Sequence, residues 1–327
     1  MTTTSIPPAP MPVPELAAVA GRITENIQRV INGKDEAIRI ALVTLLSEGH
    51  LLVEDVPGVG KTTLAKALAR SIDCAVSRIQ FTPDLMPSDI TGVSIYNRET
   101  TQFEFRPGPI FANVVIGDEI NRGSPKTQSA LLECMEERQV TVDNTTYTLE
   151  PPFMVIATQN PIEMEGTYAL PEAQRDRFTA RISMGYPDAA SELAMVDGHA
   201  ATDPLDTLNA VSDAREVAAV LAAIRSVHMA PELRRYAVEL SSATRRMPEI
   251  RLGASPRATL HLVRAARAHA ALAARDFVVP DDIQAVAAAV LAHRLVLSPE
   301  SLNARRNPAD LIRAVVARQP VPQAPRS

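Results

Sequence analysis

A glycine-rich segment between an apolar run and an amphipathic stretch constrains this chain more than any other feature. Residues 51–54 (LLVE) are typical of a buried strand, residues 55–62 read DVPGVGKT, and apolar residues then recur at helical spacing from 64 to 72. A strand, a glycine-rich turn and a helix in this order surround an anion with backbone N–H groups. The segment predicts a phosphate-binding loop, with Lys61 on the phosphates and the Thr62 hydroxyl on Mg²⁺. The alternative is a plain turn with an exposed lysine.

The first position of this loop motif is usually glycine, and here it is Asp55. A carboxylate beside a triphosphate would repel it, so we expect the Asp55 side chain to point away from the loop. Aspartate also tolerates unusual backbone angles better than most residues.

Two further strands end in polar residues suited to phosphate chemistry. The run 114–117 (VVIG) precedes Asp118 and Glu119, and the run 153–157 (FMVIA) is closely followed by Asn160. Asp118 could hold Mg²⁺ through its water shell, and Glu119 could activate a water as general base. Asn160 could orient that water. Alternatively, the carboxylates end a solvated strand and Asn160 is a turn residue before proline.

Composition narrows the class of protein. The chain has 327 residues, of which 46% are hydrophobic and 22% charged, so it is long enough for two globular domains. The net charge of -5 leaves no broad positive field for a polyanion, which disfavours nucleic acid as a partner. The two cysteines lack metal-ligand spacing, and neither a signal peptide nor a membrane-spanning apolar run is visible. We therefore expect a soluble cytoplasmic protein.

Hydrophobic periodicity divides the chain into two parts. After the first strand, short apolar runs alternate with helical stretches, which predicts a parallel sheet with crossover helices. Turn-forming residues within 93–105 and 139–149 predict two hairpins. Beyond about residue 187 strand signals vanish and alanine-rich helical segments follow. The expected parts are a disordered proline-rich tail, an α/β core, an all-α domain and a flexible tail: 1–14, 15–188, 189–318 and 319–327.

Further specific motifs follow the phosphate loop along the chain. They are IQFTPDLMPSDITG (79–92), GDEINR (117–122), PKTQSALLE (125–133), ATQNP (157–161), LPEAQ (170–174), DRF (176–178) and GASPR (253–257). Together they resemble the AAA+ ATPases of the MoxR group, in the helix-2-insert branch, over residues 15 to 318. The resemblance implies an α/β AAA+ P-loop NTPase core with a parallel sheet and β-hairpin insertions, followed by an all-α lid domain.

The resemblance also implies ATP and Mg²⁺ as cofactors. Asp118 and Glu119 become the Walker B pair, Asn160 becomes sensor 1, and Thr62 and Asp118 hold the metal. Residues 30–34 would lie against the adenine. The implied nucleotide-binding residues are Val30, Ile31, Gly33, Lys34, Pro57, Gly58, Val59, Gly60, Lys61, Thr62, Thr63 and Asp118.

Two arginines receive roles from the same resemblance. Arg177 is implied to be the arginine finger, which stabilises the γ-phosphate of a neighbouring subunit, with Arg175 as the alternative. Arg257 is implied to be sensor 2, touching the γ-phosphate of its own subunit. The alternative for both arginines is an ordinary surface contact.

The function implied by the resemblance is that of a chaperone-like motor. A ring, expected to be a hexamer, would hydrolyse ATP between subunits and remodel or mature a client with a von Willebrand factor A (VWA) domain partner. The residues do not identify the client. Three alternatives are the motor of a magnesium- or cobalt-chelatase-like complex, a P-loop small-molecule kinase, and a DNA helicase or loader. A kinase leaves Arg177, Arg257 and the helical domain unexplained, and the negative net charge weighs against DNA.

Overall fold

A five-stranded parallel sheet lies at the centre of the computed structural model, which describes residues 11–56, 58–160, 166–187, 189, 192–193 and 204–322. Numbered along the chain, its strands are β1 (Leu51–Glu54), β2 (Val76–Gln80), β5 (Val114–Asp118), β8 (Met154–Gln159) and β9 (Ala180–Ile182). Their order in space is β2-β5-β8-β1-β9, with all neighbours parallel. The carboxyl ends of β1, β8 and β5 therefore meet side by side at one edge, where open α/β sheets bind ligands.

Both faces of this sheet are buried, which explains why its strands read as continuous apolar runs. In β5, Val114 and Ile116 pack on one face and Val115 packs on the other. Two groups of helices cover the sheet. On the first face lie α1 (Val13–Gln28), α2 (Asp35–Leu46) and α3 (Lys61–Ser71), and on the second lie α4 (Pro87–Thr91) and α5 (Pro125–Glu137).

The two hairpins expected from the sequence are present. One joins β3 (Gly92–Asn97) to β4 (Gln102–Pro107), and the other joins β6 (Gln139–Val142) to β7 (Thr145–Thr148). Asp143 and Asn144 have φ of 48° and 63°, the positive values that a type I′ turn requires. Phe105 of β4 stacks on Tyr147 of β7 with ring centroids 4.2 Å apart. The two insertions therefore form one unit.

The C-terminal part is helical, as expected, and most of its helices begin at a proline, which has no N–H to leave unpaired in the first turn. After the short α6 (Glu172–Arg175), its helices are α7 (Ala214–Arg225), α8 (Pro231–Thr244), α9 (Pro256–Leu272), α10 (Pro280–Leu291), α11 (Pro299–Asn303) and α12 (Pro308–Arg318). The expectation that strands end near residue 187 is wrong at one place. A ribbon pairs β10 (Ile250–Leu252) with β11 (Val296–Leu297), and such short strands show no periodicity.

The ends of the chain differ slightly from expectation. α1 begins at Val13, two residues inside the expected tail, because Pro14 is compatible with the first turn of a helix. After α12, the Gln319 side chain donates to the Glu239 carboxylate at 2.9 Å. No helix in the described ranges combines the length and apolar character needed to cross a bilayer.

Candidate functional site

The phosphate loop leaves β1 and enters α3, as the sequence predicts. α3 begins at Lys61, and the glycines before it, Gly58 and Gly60, have φ of 82° and 86°. Side chains with a Cβ rarely adopt these left-handed angles, so both positions require glycine. A Cβ on Gly58 would meet no described atom within 4 Å, so the space beside this glycine is open. Pro57, also assigned to this loop, lies outside the described residues.

Lys61 is held at the carboxyl edge of the sheet by main-chain oxygens. Its ammonium group donates to the Asp55 carbonyl at 2.7 Å and to the Gln159 carbonyl at 3.3 Å. Burial lowers the pKa of Lys61, and the carboxylates of Asp55, Asp118 and Glu119 oppose this change. The lysine is therefore placed at the loop by neutral acceptors while carboxylates nearby favour its charged form.

The Asp55 carboxylate points away from the loop, as expected. Its Oδ2 accepts from the Ser183 hydroxyl at 2.8 Å and from the N–H groups of Met184 and Gly185 at 2.6 Å each. Its Oδ1 accepts from the Val56 N–H at 2.9 Å. Burial raises the pKa of Asp55, but these hydrogen bonds outweigh burial and lower it. Asp55 therefore ties the loop to the segment after β9.

The two residues assigned to the metal, Thr62 and Asp118, are adjacent. The Thr62 hydroxyl lies 3.3 Å from Asp118 Oδ1, and the Thr158 hydroxyl donates to the same oxygen at 3.2 Å. The Asp118 side chain is only 6% exposed. A hydroxyl and a carboxylate are the oxygen ligands that Mg²⁺ prefers, so this donor set fits that ion.

Arg78 and Gln80 of β2 contact Asp118 and Glu119 respectively, and sequence analysis assigned neither residue to the site. Arg78 Nε lies 2.6 Å from Asp118 Oδ2, and Gln80 Nε2 lies 2.9 Å from Glu119 Oε2. Arg78 Nη2 also donates to Gln80 Oε1 at 3.2 Å. These contacts require β2 to pair with β5 in the register that sets Gln80 opposite Asp118. No sequence motif contains that register.

Glu119 has a left-handed backbone, with φ 57° and ψ 49°. This conformation costs a non-glycine residue on the order of 1 kcal/mol, and such strain is concentrated at functional sites. The Glu119 N–H donates to the Thr158 hydroxyl at 3.0 Å, and its Oε2 lies 3.3 Å from Arg122 Nε. The strained turn aims the carboxylate along the sheet edge, where Gln80 and Arg122 hold it.

Asn160 follows β8 directly and is 8% exposed. Because β8 lies between β1 and β5, Asn160 stands between the phosphate loop and the acidic pair. Its carbonyl accepts from Asn121 Nδ2 at 3.4 Å. This is the position from which a side chain can reach both groups.

A cavity of about 350 Å³ opens beside the loop. Met184, Pro187 and Leu205 form an apolar wall that the sequence did not reveal, while the loop supplies amides and the lysine. An apolar half and a donor-rich half fit a nucleotide. Gly33 lines a neighbouring cavity of about 780 Å³ instead. The expected residues that line the nucleotide-sized cavity are Val30, Ile31, Lys34, Gly58, Val59, Gly60, Lys61, Thr62 and Thr63.

Arg177 and Arg257 meet at one carboxylate, that of Glu136, far from their own phosphate loop. Glu136 Oε2 lies 3.4 Å from Arg177 Nε, and its Oε1 lies 2.6 Å from Arg257 Nη2. Glu136 stands near the end of α5, which runs back from the carboxyl edge for about 16 Å at 1.5 Å per residue. Both arginines line a cavity of about 270 Å³ with His50, the residue before β1. They therefore lie at the amino edge of the sheet.

The expectation that Arg257 touches the γ-phosphate of its own subunit is not met. Arg257 does not line the cavity that contains Lys61. The expectation assumed that the lid covers its own phosphate loop, whereas α9 packs on α1 and α2 and places Arg257 3.9 Å from Asp176.

Comparison with known proteins agrees with this architecture. Residues 50–180 match the family described as "ATPase family associated with various cellular activities (AAA)", and residues 242–315 match "AAA lid domain". The chain is 42% identical over 308 residues to Chaperone MoxR1 of Mycobacterium tuberculosis, covering 91% of this chain and 81% of that protein. This chain belongs to the MoxR family of AAA+ ATPases.

Two more similarities extend over nearly the whole chain. YeaC of Bacillus subtilis is 50% identical over 287 residues, which is 88% of this chain and 90% of YeaC. A crystal structure of a protein from Cytophaga hutchinsonii superposes with a TM-score of 0.88 at 37% identity, covering 95% of this chain and 97% of that one. The α/β core and helical lid are thus shared with known structures.

Within this MoxR-family chain, the surroundings of Arg175 and Arg177 differ. The Arg177 side chain is 31% exposed and faces the cavity at the amino edge. Arg175 Nε is buried and has no hydrogen-bond partner among the described residues. The two arginines therefore differ in their contacts, since Arg177 is paired with Glu136 at the amino edge of the sheet.

Proposed function

We propose that this MoxR-family protein is a Mg²⁺-dependent ATPase whose active sites form between neighbouring subunits of a ring, a hexamer by resemblance. The observation that carries the proposal is the separation of Lys61 and Glu119 from Arg177 and Arg257 across the sheet. Neither arginine lines the cavity that contains Lys61 of its own chain. Packing the amino edge of one subunit on the carboxyl edge of the next brings the two halves together.

Each residue then has a defined task. Lys61 and the loop amides bind the phosphates, and Thr62 with Asp118 holds Mg²⁺, which when bound neutralises phosphate charge. Glu119 takes a proton from the attacking water, while Gln80 and Arg122 hold its carboxylate through Oε2.

Three further groups complete this site. Asn160 orients the water. Arg177 and Arg257 of the neighbouring subunit stabilise the charge that develops on the phosphate during transfer.

The work done by this ATPase is remodelling or maturation of a client protein. A relative named Chaperone MoxR1 supports this role. The resemblance to the MoxR group supports a VWA-domain protein as partner, and we place the activity in the cytoplasm. The joined hairpins supply a candidate contact surface, since Ile95, Tyr96 and Phe103 are exposed there.

The proposal is tested by ATP hydrolysis measured per subunit over a wide range of protein concentration, with molecular sizing at each point. We expect specific activity to rise with oligomer formation and then to saturate. A monomer that hydrolyses ATP at the saturated rate would contradict shared active sites.

A mixing experiment identifies the trans residue. Arg177→Ala and Glu119→Gln subunits are each expected to be inactive alone, but co-expressed in one ring they should regain activity. In such a ring, the intact nucleotide site of an Arg177→Ala subunit can face the intact Arg177 of a Glu119→Gln subunit. Arg235→Ala, an exposed change on α8, serves as the control and should hydrolyse ATP normally.

A further inference from the structure

Arg294 of the lid binds the main chain on both sides of Arg177. It lies in a 3₁₀ turn after α10, and its side chain is 2% exposed. Its Nη2 lies 3.0 Å from the Asp176 carbonyl and 2.5 Å from the Phe178 carbonyl. Its Nη1 lies 3.2 Å from the Thr179 carbonyl. One guanidinium group therefore holds three carbonyls that flank the arginine finger.

The Asp176 carboxylate adds a second attachment to the lid. Its Oδ1 accepts from Arg294 Nε at 2.8 Å, and both its oxygens lie 2.9 Å from the hydroxyl of Ser255, the N-cap of α9. Arg257 Nη1 lies 3.9 Å from its Oδ2. Three lid side chains thus converge on the residue immediately before Arg177.

On its other side, Arg294 is fixed within the lid. Its Nη1 donates to the Val290 carbonyl of α10, and its Nη2 lies 2.6 Å from Nδ1 of His261 on α9. Burial and the charge of Arg294 together lower the pKa of His261 to about 2, so this ring is neutral and can accept. Burial lowers the pKa of Arg294 to about 10, with Asp176 opposing, so the guanidinium stays charged at neutral pH.

A buried arginine with this many partners is a rigid connection. Its planar fork presents N–H groups in several directions at once, which a lysine ammonium on a flexible stem does not. Loss of the fork removes donors from the buried carbonyls of Asp176 and Thr179 and leaves the Asp176 carboxylate with Ser255 as its remaining close donor, an arrangement that shifts the local backbone. A group misplaced by about 1 Å can cost a reaction about 100-fold in rate.

We propose that Arg294 is a positioning residue for the arginine finger, fixing the backbone of Arg177 to the lid so that lid orientation sets the reach of Arg177 into the neighbouring subunit. This inference rests on the proposed function, because it requires Arg177 to act on a neighbour. Each subunit would then couple the position of its own lid to hydrolysis in the adjacent site.

The test uses Arg294→Lys, which keeps the charge and removes the fork. We expect its ATP turnover to fall by about 10- to 100-fold. The Kd for a fluorescent ATP analogue should stay within about twofold of wild type, because Arg294 does not line the nucleotide cavity. The matched control is Arg235→Lys, an exposed lid position on α8, which should leave both quantities unchanged.

Complementation separates positioning from a general structural defect. Arg294→Lys subunits retain an intact nucleotide site, and Glu119→Gln subunits retain an intact arginine finger. Under random mixing about a quarter of the interfaces pair the two, so co-expression should restore about a quarter of wild-type activity. Asp176→Asn, which keeps the side-chain shape, should behave in the same way and serves if Arg294→Lys fails to fold.

The outcomes distinguish the inference from the proposed function. Wild-type ATP turnover in Arg294→Lys would overturn the positioning role. So would mixtures with Glu119→Gln in which Arg177→Ala subunits recover activity while Arg294→Lys and Asp176→Asn subunits do not. A nucleotide Kd weakened in proportion to turnover also overturns it. If Arg177→Ala subunits themselves fail to recover ATPase activity in the mixture, the trans arrangement on which the inference rests is contradicted.

Discussion

The carboxylate of Glu136 and the guanidinium of Arg257 are 2.6 Å apart, and Arg177 shares the same carboxylate at 3.4 Å. Glu136 belongs to the core, whereas Arg257 begins a lid helix. The Glu136 carboxylate therefore binds two arginines from different parts of the chain. In the proposed ring the phosphate of a neighbouring subunit competes with Glu136 for both arginines.

Glu136→Gln should increase the availability of these arginines. The three side chains are each about one-third exposed, so the lost ion pairs should cost less than about 1 kcal/mol of stability. We expect the protein concentration at half-maximal ATPase activity to fall by about threefold. The measurement is specific activity against concentration, with the exposed neighbour Glu137→Gln as control. A large loss of activity at saturation would show instead that Glu136 is needed to preorganise the arginines.

Removal of Arg78 should strengthen Mg²⁺ binding. Its guanidinium lies 2.6 Å from Asp118 Oδ2 and competes with a cation for that oxygen. For Arg78→Gln we expect the Mg²⁺ concentration at half-maximal nucleotide binding to fall by about threefold. Titration of Mg²⁺ against a fluorescent ATP analogue measures it, with hairpin variant Arg98→Gln as control. A midpoint that rises would mean that Arg78 supports the site rather than competes with the metal.

Asp55→Ala should destabilise the protein and weaken nucleotide binding together. The carboxylate accepts hydrogen bonds from the hydroxyl of Ser183 and the N–H groups of Met184 and Gly185, and Met184 lines the nucleotide cavity. Leaving these donors unpaired should cost about 1 to 3 kcal/mol. Urea unfolding and nucleotide titration measure the two effects, and Asp276→Ala, at an exposed position before α10, is the control. Tighter nucleotide binding would mean that the charge of Asp55 repels the phosphates.

His50 should make stability fall in mild acid. The Val155 N–H donates to Nδ1 at 2.9 Å, so Nε2 carries the hydrogen and donates to the Met135 carbonyl at 3.0 Å. Burial and, to a lesser degree, the charge of Arg138 lower the pKa of His50 while the Met135 bond opposes them, and the net pKa falls from 6.5 to about 4. Between these values the unfolded chain binds a proton that the folded chain does not, so stability is lost as the pH falls below 6.5.

The expected size of this effect is about 2 kcal/mol on going from neutral pH to about pH 5, from this residue alone. Urea unfolding at both pH values measures it. His50→Gln should lower stability at neutral pH but reduce the difference between the two pH values, whereas the exposed control His228→Gln should retain the full difference. An unchanged pH difference in His50→Gln would assign the acid sensitivity to other groups.

Glu119→Gln should separate nucleotide binding from hydrolysis. The amide keeps the shape of the side chain but cannot accept a proton, so turnover should fall by about 100-fold or more while ATP affinity is retained. Lys61→Ala, in contrast, should lose nucleotide affinity, because the ammonium group that binds the phosphates is removed. Near-normal turnover in Glu119→Gln would show that this carboxylate is not the general base.

Contiguous motifs made the core of the site predictable. The phosphate loop, the acidic pair after β5 and Asn160 after β8 each follow an apolar strand, and strand ends of a parallel sheet meet at one edge. The contacts of Arg78 and Gln80 depend on strand order and register, which local patterns do not contain. The meeting of Glu136, Arg177 and Arg257 depends on how the lid packs, and the assumed cis position of Arg257 was therefore not met.

The same separation of groups across the sheet gives each chain a direction. In the proposed ring, a chain carries the binding half of one catalytic centre on one edge and the arginine half of another on the opposite edge. An assembly that fails to close would leave one bound nucleotide without arginines at one end and one pair of arginines without a nucleotide at the other. A single defective subunit would in turn silence the neighbour that depends on its arginines.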